Sequence, residues 1–339
     1  MPQMSYADAA TAAICEEMRR DPRVFVMGQD VQTGAYGQLM AEVGAARVRN
    51  TPICETGFHG AAIGAALTGM RPVIEGAFST FLYSAMDQIV SQAAKSRYMF
   101  GGQASIPIVV RSLVAYTIGA AAHHSDRPWG LFAQIPGVKI IVPATPYDVK
   151  GLLKSAIRDP NPVYCFDDYT LFGRQGDVPE HDYTVPIGVA DIKRVGSDVT
   201  VVAIAGAVHH SLAAAELLAS ERISMEVIDV RTVAPLDRST ILQSARKTGR
   251  IVAVDPAPGT CSLASEVAAT IAEHAFDCLK APVIRLTAPD IPVPFSPVLE
   301  QLLYPGVDAI VAAVRRLCGS QTSSSTSHVV EMTRRARER

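Results

Sequence analysis

Short β-rich apolar runs divided by helix-length stretches recur along most of this chain, and that alternation leaves few folds open. Runs at 24–27, 73–76, 106–110, 139–142 and 163–166 are interleaved with helical patterns over 60–68, 84–97 and 147–158. Strands separated by helices cannot close as hairpins; they form a mostly parallel sheet with helices on both faces. A first helix over 5–20 opens on Ser5, with Asp8 at the spacing of a capping box.

Between 173 and 193 the pattern breaks into a polar stretch holding Pro179 and Pro186, which reads as a linker. A second series follows, with strands at 199–205, 224–229, 250–255 and 281–286 and helices at 207–220, 239–248, 263–273 and 307–317. At 339 residues the chain exceeds what one core supports. The expected organisation is an α/β domain over 4–178, a linker over 179–194 and a smaller α/β domain over 195–318. The Ser/Thr-rich and basic end, 319–339, is expected to be disordered.

Composition removes several function classes. Lys and Arg number 31 against 33 for Asp and Glu, a balance with no electrostatic footprint for nucleic acid or an anionic membrane. The longest apolar stretches are interrupted by Arg71 and Arg111 and are too short to span a bilayer. Six cysteines without CxxC spacing, and no basic-then-apolar leader, point to a reducing cytoplasm. A nicotinamide dehydrogenase would carry GxGxxG after an early strand, and the chain has neither that string nor a P-loop. The pairs His123–His124 and His209–His210 send neighbouring side chains in divergent directions, which is poor metal geometry.

The informative segment is TPICETGFHG, residues 51–60. Glu55 ends a short apolar run just before a Gly-rich helix, at the mouth of a parallel sheet, where ligands of such folds bind. A carboxyl group there could exchange protons near neutrality. Capping of the helix that follows is the alternative, and these residues alone leave both open.

Longer blocks decide more. TPICETGFHGAAIGAALTGMRPVIEG, MDQIVSQAAKSRYMFGGQ, AAHHSD, IPGVKIIVPATPYDVKGLLKSAIRDPNPV and LTAPDIPVPFSPVLE occur in order. Together they resemble the beta subunits of pyruvate, branched-chain 2-oxo acid and acetoin dehydrogenases, from about Ser5 to Leu317. The resemblance implies a transketolase-like pyrimidine-binding domain followed by a transketolase C-terminal-like domain. It implies thiamine diphosphate bound between this chain and an alpha subunit, which mainly holds the diphosphate and Mg2+. It also implies an alpha2beta2 heterotetramer serving a lipoyl-bearing dihydrolipoyl acyltransferase core, and a small 2-oxo acid as substrate. The reaction would be oxidative decarboxylation with acyl transfer to lipoamide. An acetoin dehydrogenase beta subunit and a non-catalytic assembly subunit are the alternatives.

By the same resemblance Glu55 falls on the glutamate that contacts N1′ of the aminopyrimidine and favours the tautomer able to deprotonate the thiazolium. Phe81 falls beside that ring. His124, rather than His123, falls on the histidine near the reacting carbon, which assists acyl transfer. Ile108, Ala156, Ile157, Asp159 and Asn161 fall on a structural potassium site. Gln29 stands where many relatives are acidic, which puts an acidic proton path between paired sites in doubt. Asp126 stands where Gln is common. The GDG motif of the diphosphate and magnesium site is absent, as expected of a beta chain.

Overall fold

The computed structural model describes residues 2–319 apart from 117, so the expected tail from 320 onward lies outside the described residues. In the first half of the chain the strands are β1 Gln3–Ser5, β2 Val24–Gly28, β3 Val48–Asn50, β4 Arg71–Phe78, β5 Val109–Val114, β6 Lys139–Ile141, β7 Val163–Asp168 and β8 Gln175–Asp177. β1 and β8 pair antiparallel with one another. The others lie side by side in the order β3-β2-β4-β5-β7-β6, all parallel.

Alternation along each strand sorts the core. Phe25, Met27, Ile74, Val110, Tyr164 and Phe166 enter one buried cluster, and Val24, Val26, Val73, Val109, Val163 and Cys165 enter another on the opposite face. Helices Tyr6–Arg20 and Pro146–Arg158 cover the second face. Both faces are therefore dry, which is why these strands read as apolar runs rather than as half-polar ones. Ser5 caps the first helix, its Oγ accepting the Asp8 N–H at 3.1 Å.

The second half contains β9 Asp191–Arg194, β10 Val199–Ala203, β11 Met225–Asp229, β12 Thr232–Ala234, β13 Ile251–Pro258 and β14 Ile284–Ala288. Its sheet runs β14-β13-β10-β11-β9, with β9 antiparallel at one edge. β12 leaves this sheet and pairs antiparallel with β6 at the edge of the first one. The segment expected as a linker is a strap laid along helix Pro146–Arg158. Tyr183 stacks on Tyr147 at 4.6 Å between ring centroids, and the Val185 N–H bonds the Gly151 carbonyl at 3.1 Å.

Four expected elements move, among them the strand expected at 281–286, which forms at Ile284–Ala288. The strand expected at 106–110 forms at Val109–Val114, because Pro107 has no N–H to give a central ladder; Ile106 and Ile108 are nonetheless fully buried. The helix expected from 60 starts at Glu55. The helix expected over 84–97 is instead a tight turn at Ser79–Ala85, a wide helical turn at Gln88–Ala93 and one α turn at Ser96–Met99.

A buried ion network fastens the two halves. Asp148, on helix Pro146–Arg158, meets Lys193 of β9 at 2.6 Å and Arg231, beside β12, at 2.5 Å. Both bases also reach Asp191, at 2.7 and 2.9 Å, and Lys193 lies 3.7 Å from Asp229 at the end of β11. Burial, and after it the nearby Asp148 charge, push the Asp229 carboxyl up to about 7 against the pull of Lys193 and Arg231. Protonated Asp229 leaves two acids facing two bases.

Its folded value lies above the ordinary carboxylate value of about 3.9, so folding takes up a proton. That contribution is complete below the ordinary value and is lost as pH rises through about 7. Unfolding free energy from urea titrations is expected to fall between pH 5 and pH 8, and Asp229→Asn should flatten the slope. An unchanged slope in Asp229→Asn would show that another group is responsible.

Candidate active site

Neighbouring parallel strands β3, β2, β4 and β5 end on one edge of the first sheet, and each hands the chain to a candidate residue. β2 leads into Gln29, β3 into the turn before Glu55, β4 into the turn bearing Phe81, and β5 into the loop bearing His124. The carboxyl ends of parallel strands are where open α/β sheets leave a crevice.

Glu55 is the first residue of helix Glu55–Leu67 and is partly exposed. The cap position belongs to Cys54, which makes no side-chain cap bond. The Glu55 side chain meets Gln29 instead, whose Nε2 donates to Oε1 over a long 3.4 Å. One turn on, His59 Nδ1 bonds the Glu55 carbonyl at 2.8 Å. Burial pulls the His59 imidazole down to about 4, so it is neutral at working pH and the ring N–H is the donor. Residue type alone does not single out His59; its position four residues after Glu55 is the one signal in the sequence.

Phe78, Phe81 and His124 form an aromatic trio. His124 lies edge-on to Phe78 at 4.3 Å and to Phe81 at 5.5 Å between centroids. Its Nδ1 bonds the Ala120 carbonyl at 3.1 Å, which assigns the proton to Nδ1 and leaves Nε2 as the basic nitrogen. The loop carrying His124 is stitched to the turn carrying Phe81. Ser79 Oγ donates to the Asp126 carbonyl at 2.7 Å, Thr80 Oγ1 to the His123 carbonyl, and the Tyr83 hydroxyl to Asp126 Oδ2 at 3.0 Å. Thr56 Oγ1 donates to the Ser84 carbonyl at 2.7 Å, tying the helix of Glu55 to the same turn. His123 is exposed and engaged through its carbonyl. The structure thus brings Phe81 and His124 together, and joins Glu55 to them through the backbone of one turn. A carboxyl group, aromatic rings and an imidazole suit the aminopyrimidine end of thiamine diphosphate.

The candidate potassium residues do gather at the end of helix Pro146–Arg158, but protein donors already engage them. Arg71 Nη1 donates to the carbonyls of Ile157 and Asp159 at 2.6 and 3.2 Å, and Lys139 pairs with the Asp159 carboxylate. The Ile108 carbonyl accepts from Val163 N–H at 3.0 Å, the Ala156 carbonyl from Asp159 N–H at 3.2 Å, and Asn161 Oδ1 from Arg97 at 3.0 Å. Three fixed cationic side chains, Arg71, Lys139 and Arg97, thus already engage oxygens of the set.

Two α/β units in succession, the first with a crevice at its strand ends, agree with the transketolase class, and matches to its two domains place the chain there. Residues 2–168 match the transketolase pyrimidine binding domain and residues 188–310 the transketolase C-terminal domain. A solved "split gene transketolase, inactive beta4 tetramer" superposes with a TM-score of 0.79, covering 94% of this chain and 100% of that one at 24% identity. Within the class, the chain belongs to the family of beta subunits of 2-oxo acid dehydrogenases. It is 45% identical over 333 residues to the beta subunit of acetoin:2,6-dichlorophenolindophenol oxidoreductase of Bacillus subtilis (strain 168), covering 93% of this chain and 97% of the relative. Identity to the 2-oxoisovalerate dehydrogenase subunit beta of the same organism is 45% over 326 residues, covering 94% and 99%. To the pyruvate dehydrogenase E1 component subunit beta of Rhizobium meliloti (strain 1021) it is 41% over 324 residues, covering 94% and 70%.

Proposed function

We propose that this chain is the beta half of a thiamine diphosphate-dependent enzyme that oxidatively decarboxylates a 2-oxo acid and passes the acyl group to lipoamide. The observation that supports the reading is that the segments bearing Glu55, Phe81 and His124 leave adjacent parallel strands at one edge, with Phe81 packed on His124 and the helix of Glu55 tied to the Phe81 turn through Thr56. Bound there, the cofactor supplies the electron sink for loss of carbon dioxide. Glu55 holds a proton at N1′ of the pyrimidine, and Phe81 packs against the ring and keeps water from it. His124, basic at Nε2, moves a proton as the acyl group leaves for lipoamide.

An alpha subunit completes the site in an alpha2beta2 assembly that serves a lipoyl-bearing acyltransferase core. Ile53, beside Glu55, is 80% exposed, and Phe295 and Leu302 are 75% and 70% exposed, large apolar side chains of the kind a partner covers. The GDG string is absent from the sequence, so the diphosphate and its Mg2+ are assigned to the alpha chain. The six cysteines are free, in keeping with a reducing compartment such as the cytoplasm, and no helix among the described residues is long and apolar enough to cross a membrane.

Reconstituted with its alpha chain, Glu55→Gln is expected to assemble normally and to lose decarboxylation by about 10²–10⁴-fold, the range of general acid–base catalysis. Unchanged turnover would leave a purely structural subunit. Phe81→Ala should weaken thiamine diphosphate binding by about two- to twelvefold, read by calorimetry, since such ring pairs contribute about 0.5–1.5 kcal/mol. Assay of the wild-type complex with pyruvate, branched 2-oxo acids and acetoin, using an artificial acceptor, names the substrate.

A further inference from the structure

The loop that carries His124 is fastened to the Phe81 turn on one side, and on its other side stands Arg127. This residue is only 5% exposed. Its Nε and one terminal nitrogen are buried and meet no acceptor in good hydrogen-bond geometry among the described residues, the Tyr304 hydroxyl standing nearest to them. A guanidinium taken out of water needs compensation, and here aromatic faces contribute to it beside the buried Asp168 and Glu300 carboxylates, whose charges act on the same two rings. Arg127 Cζ lies 4.4 Å from the centroid of the Tyr116 ring and 4.0 Å from that of Tyr304. The two rings also meet each other edge to face, 4.0 Å between centroids at 69°. The remaining nitrogen donates to the Ser125 carbonyl at 3.3 Å, inside the loop itself.

The two rings come from different halves of the molecule. Tyr116 follows β5, at the start of the His124 loop. Tyr304 lies in the second half, between helices Pro297–Gln301 and Val307–Cys318. Two residues past Arg127 the tie is repeated, as Trp129 Nε1 donates to Asp255 of β13 at 3.2 Å. The tip of the loop, at Gly119, stands against the backbone of Phe295, which a Cβ there would meet at 3.3 Å.

We propose that Arg127 is a positioning residue: gripped between Tyr116 and Tyr304, it makes the second half of the chain set where His124 stands. The proposal rests on the reading of His124 as the group that moves a proton during acyl transfer. The clamp needs the π faces rather than the phenol hydroxyl, so its signature is retention in Tyr304→Phe and loss in Tyr304→Leu.

The test uses the full complex with its alpha chain. Tyr304→Leu is expected to slow acyl transfer to lipoamide about 10- to 100-fold, the cost of a misplaced group, with little change in KM for the 2-oxo acid. Decarboxylation read with an artificial acceptor should suffer much less. Tyr304→Phe should stay within about twofold of wild type. Amide hydrogen exchange across 115–128 should quicken in Tyr304→Leu and not in Tyr304→Phe. If Tyr304→Leu fails to assemble, Arg127→Met, which keeps the length and loses the charge, carries the same comparison. Equal losses in the Phe and Leu variants, or wild-type transfer and exchange in Leu, overturn the clamp. His124→Ala keeps the two ideas apart. Full transfer in that variant sinks the role of His124, and the proposal with it. Loss there alongside normal Tyr304→Leu sinks the clamp alone.

Discussion

Parallel pairing of β3, β2, β4 and β5 is the constraint on which the remainder of this molecule hangs. A parallel ladder forces every strand to run the same way, so each chain segment leaves the sheet at the same edge. Four segments far apart in sequence are thereby delivered to one crevice without any of them contacting another beforehand. Once there, short polar ties finish the arrangement. The hydroxyls of Thr56, Ser79 and Thr80 each bond a backbone carbonyl of a neighbouring segment. The site is built mostly from main chain, and the reactive side chains are carried on it.

A second requirement is that the two halves behave as one body. The buried cluster on the crevice side of the first sheet is continuous with residues of the second, from Trp129 and Phe132 to Leu263 and Val267. Polar contacts are placed where apolar ones would not register the halves. Asp148, Lys193 and Arg231 do so near the strap, and Trp129 with Asp255 does so at the other end. Buried ion networks contribute little net stability but penalise every misaligned docking.

Most of the repeating architecture was readable because apolar runs buried on both faces leave an unmistakable rhythm. What escaped was short or held by partners distant in sequence. The strands at Gln175–Asp177 and Asp191–Arg194 are polar edge pieces whose pairing comes from elsewhere in the chain. Glu55 stands out by its place before a Gly-rich helix, with capping as the open alternative, whereas Phe81 and His124 enter only through likeness to a family, since by residue type alone Phe81 is one more core aromatic. His59 and Arg127 escaped because their meaning lies in what surrounds them: a buried turn for one, a pair of rings for the other. At the loop proposed for potassium the string matches, and what it cannot show is that its oxygens accept from Arg71 and pair with Lys139.

The excursion of β12 has a consequence for how this polypeptide could be divided. Because that strand lies on the β6 border of a sheet otherwise built from the first half, no cut between the halves yields two finished pieces. A fragment ending near 178 would carry a raw row of amide and carbonyl groups along β6, an open template for stray chains. The later fragment would carry a three-residue ribbon with nothing to lie against. Splitting or shuffling of such genes should therefore be tolerated at the outer ends of this unit and resisted at its middle.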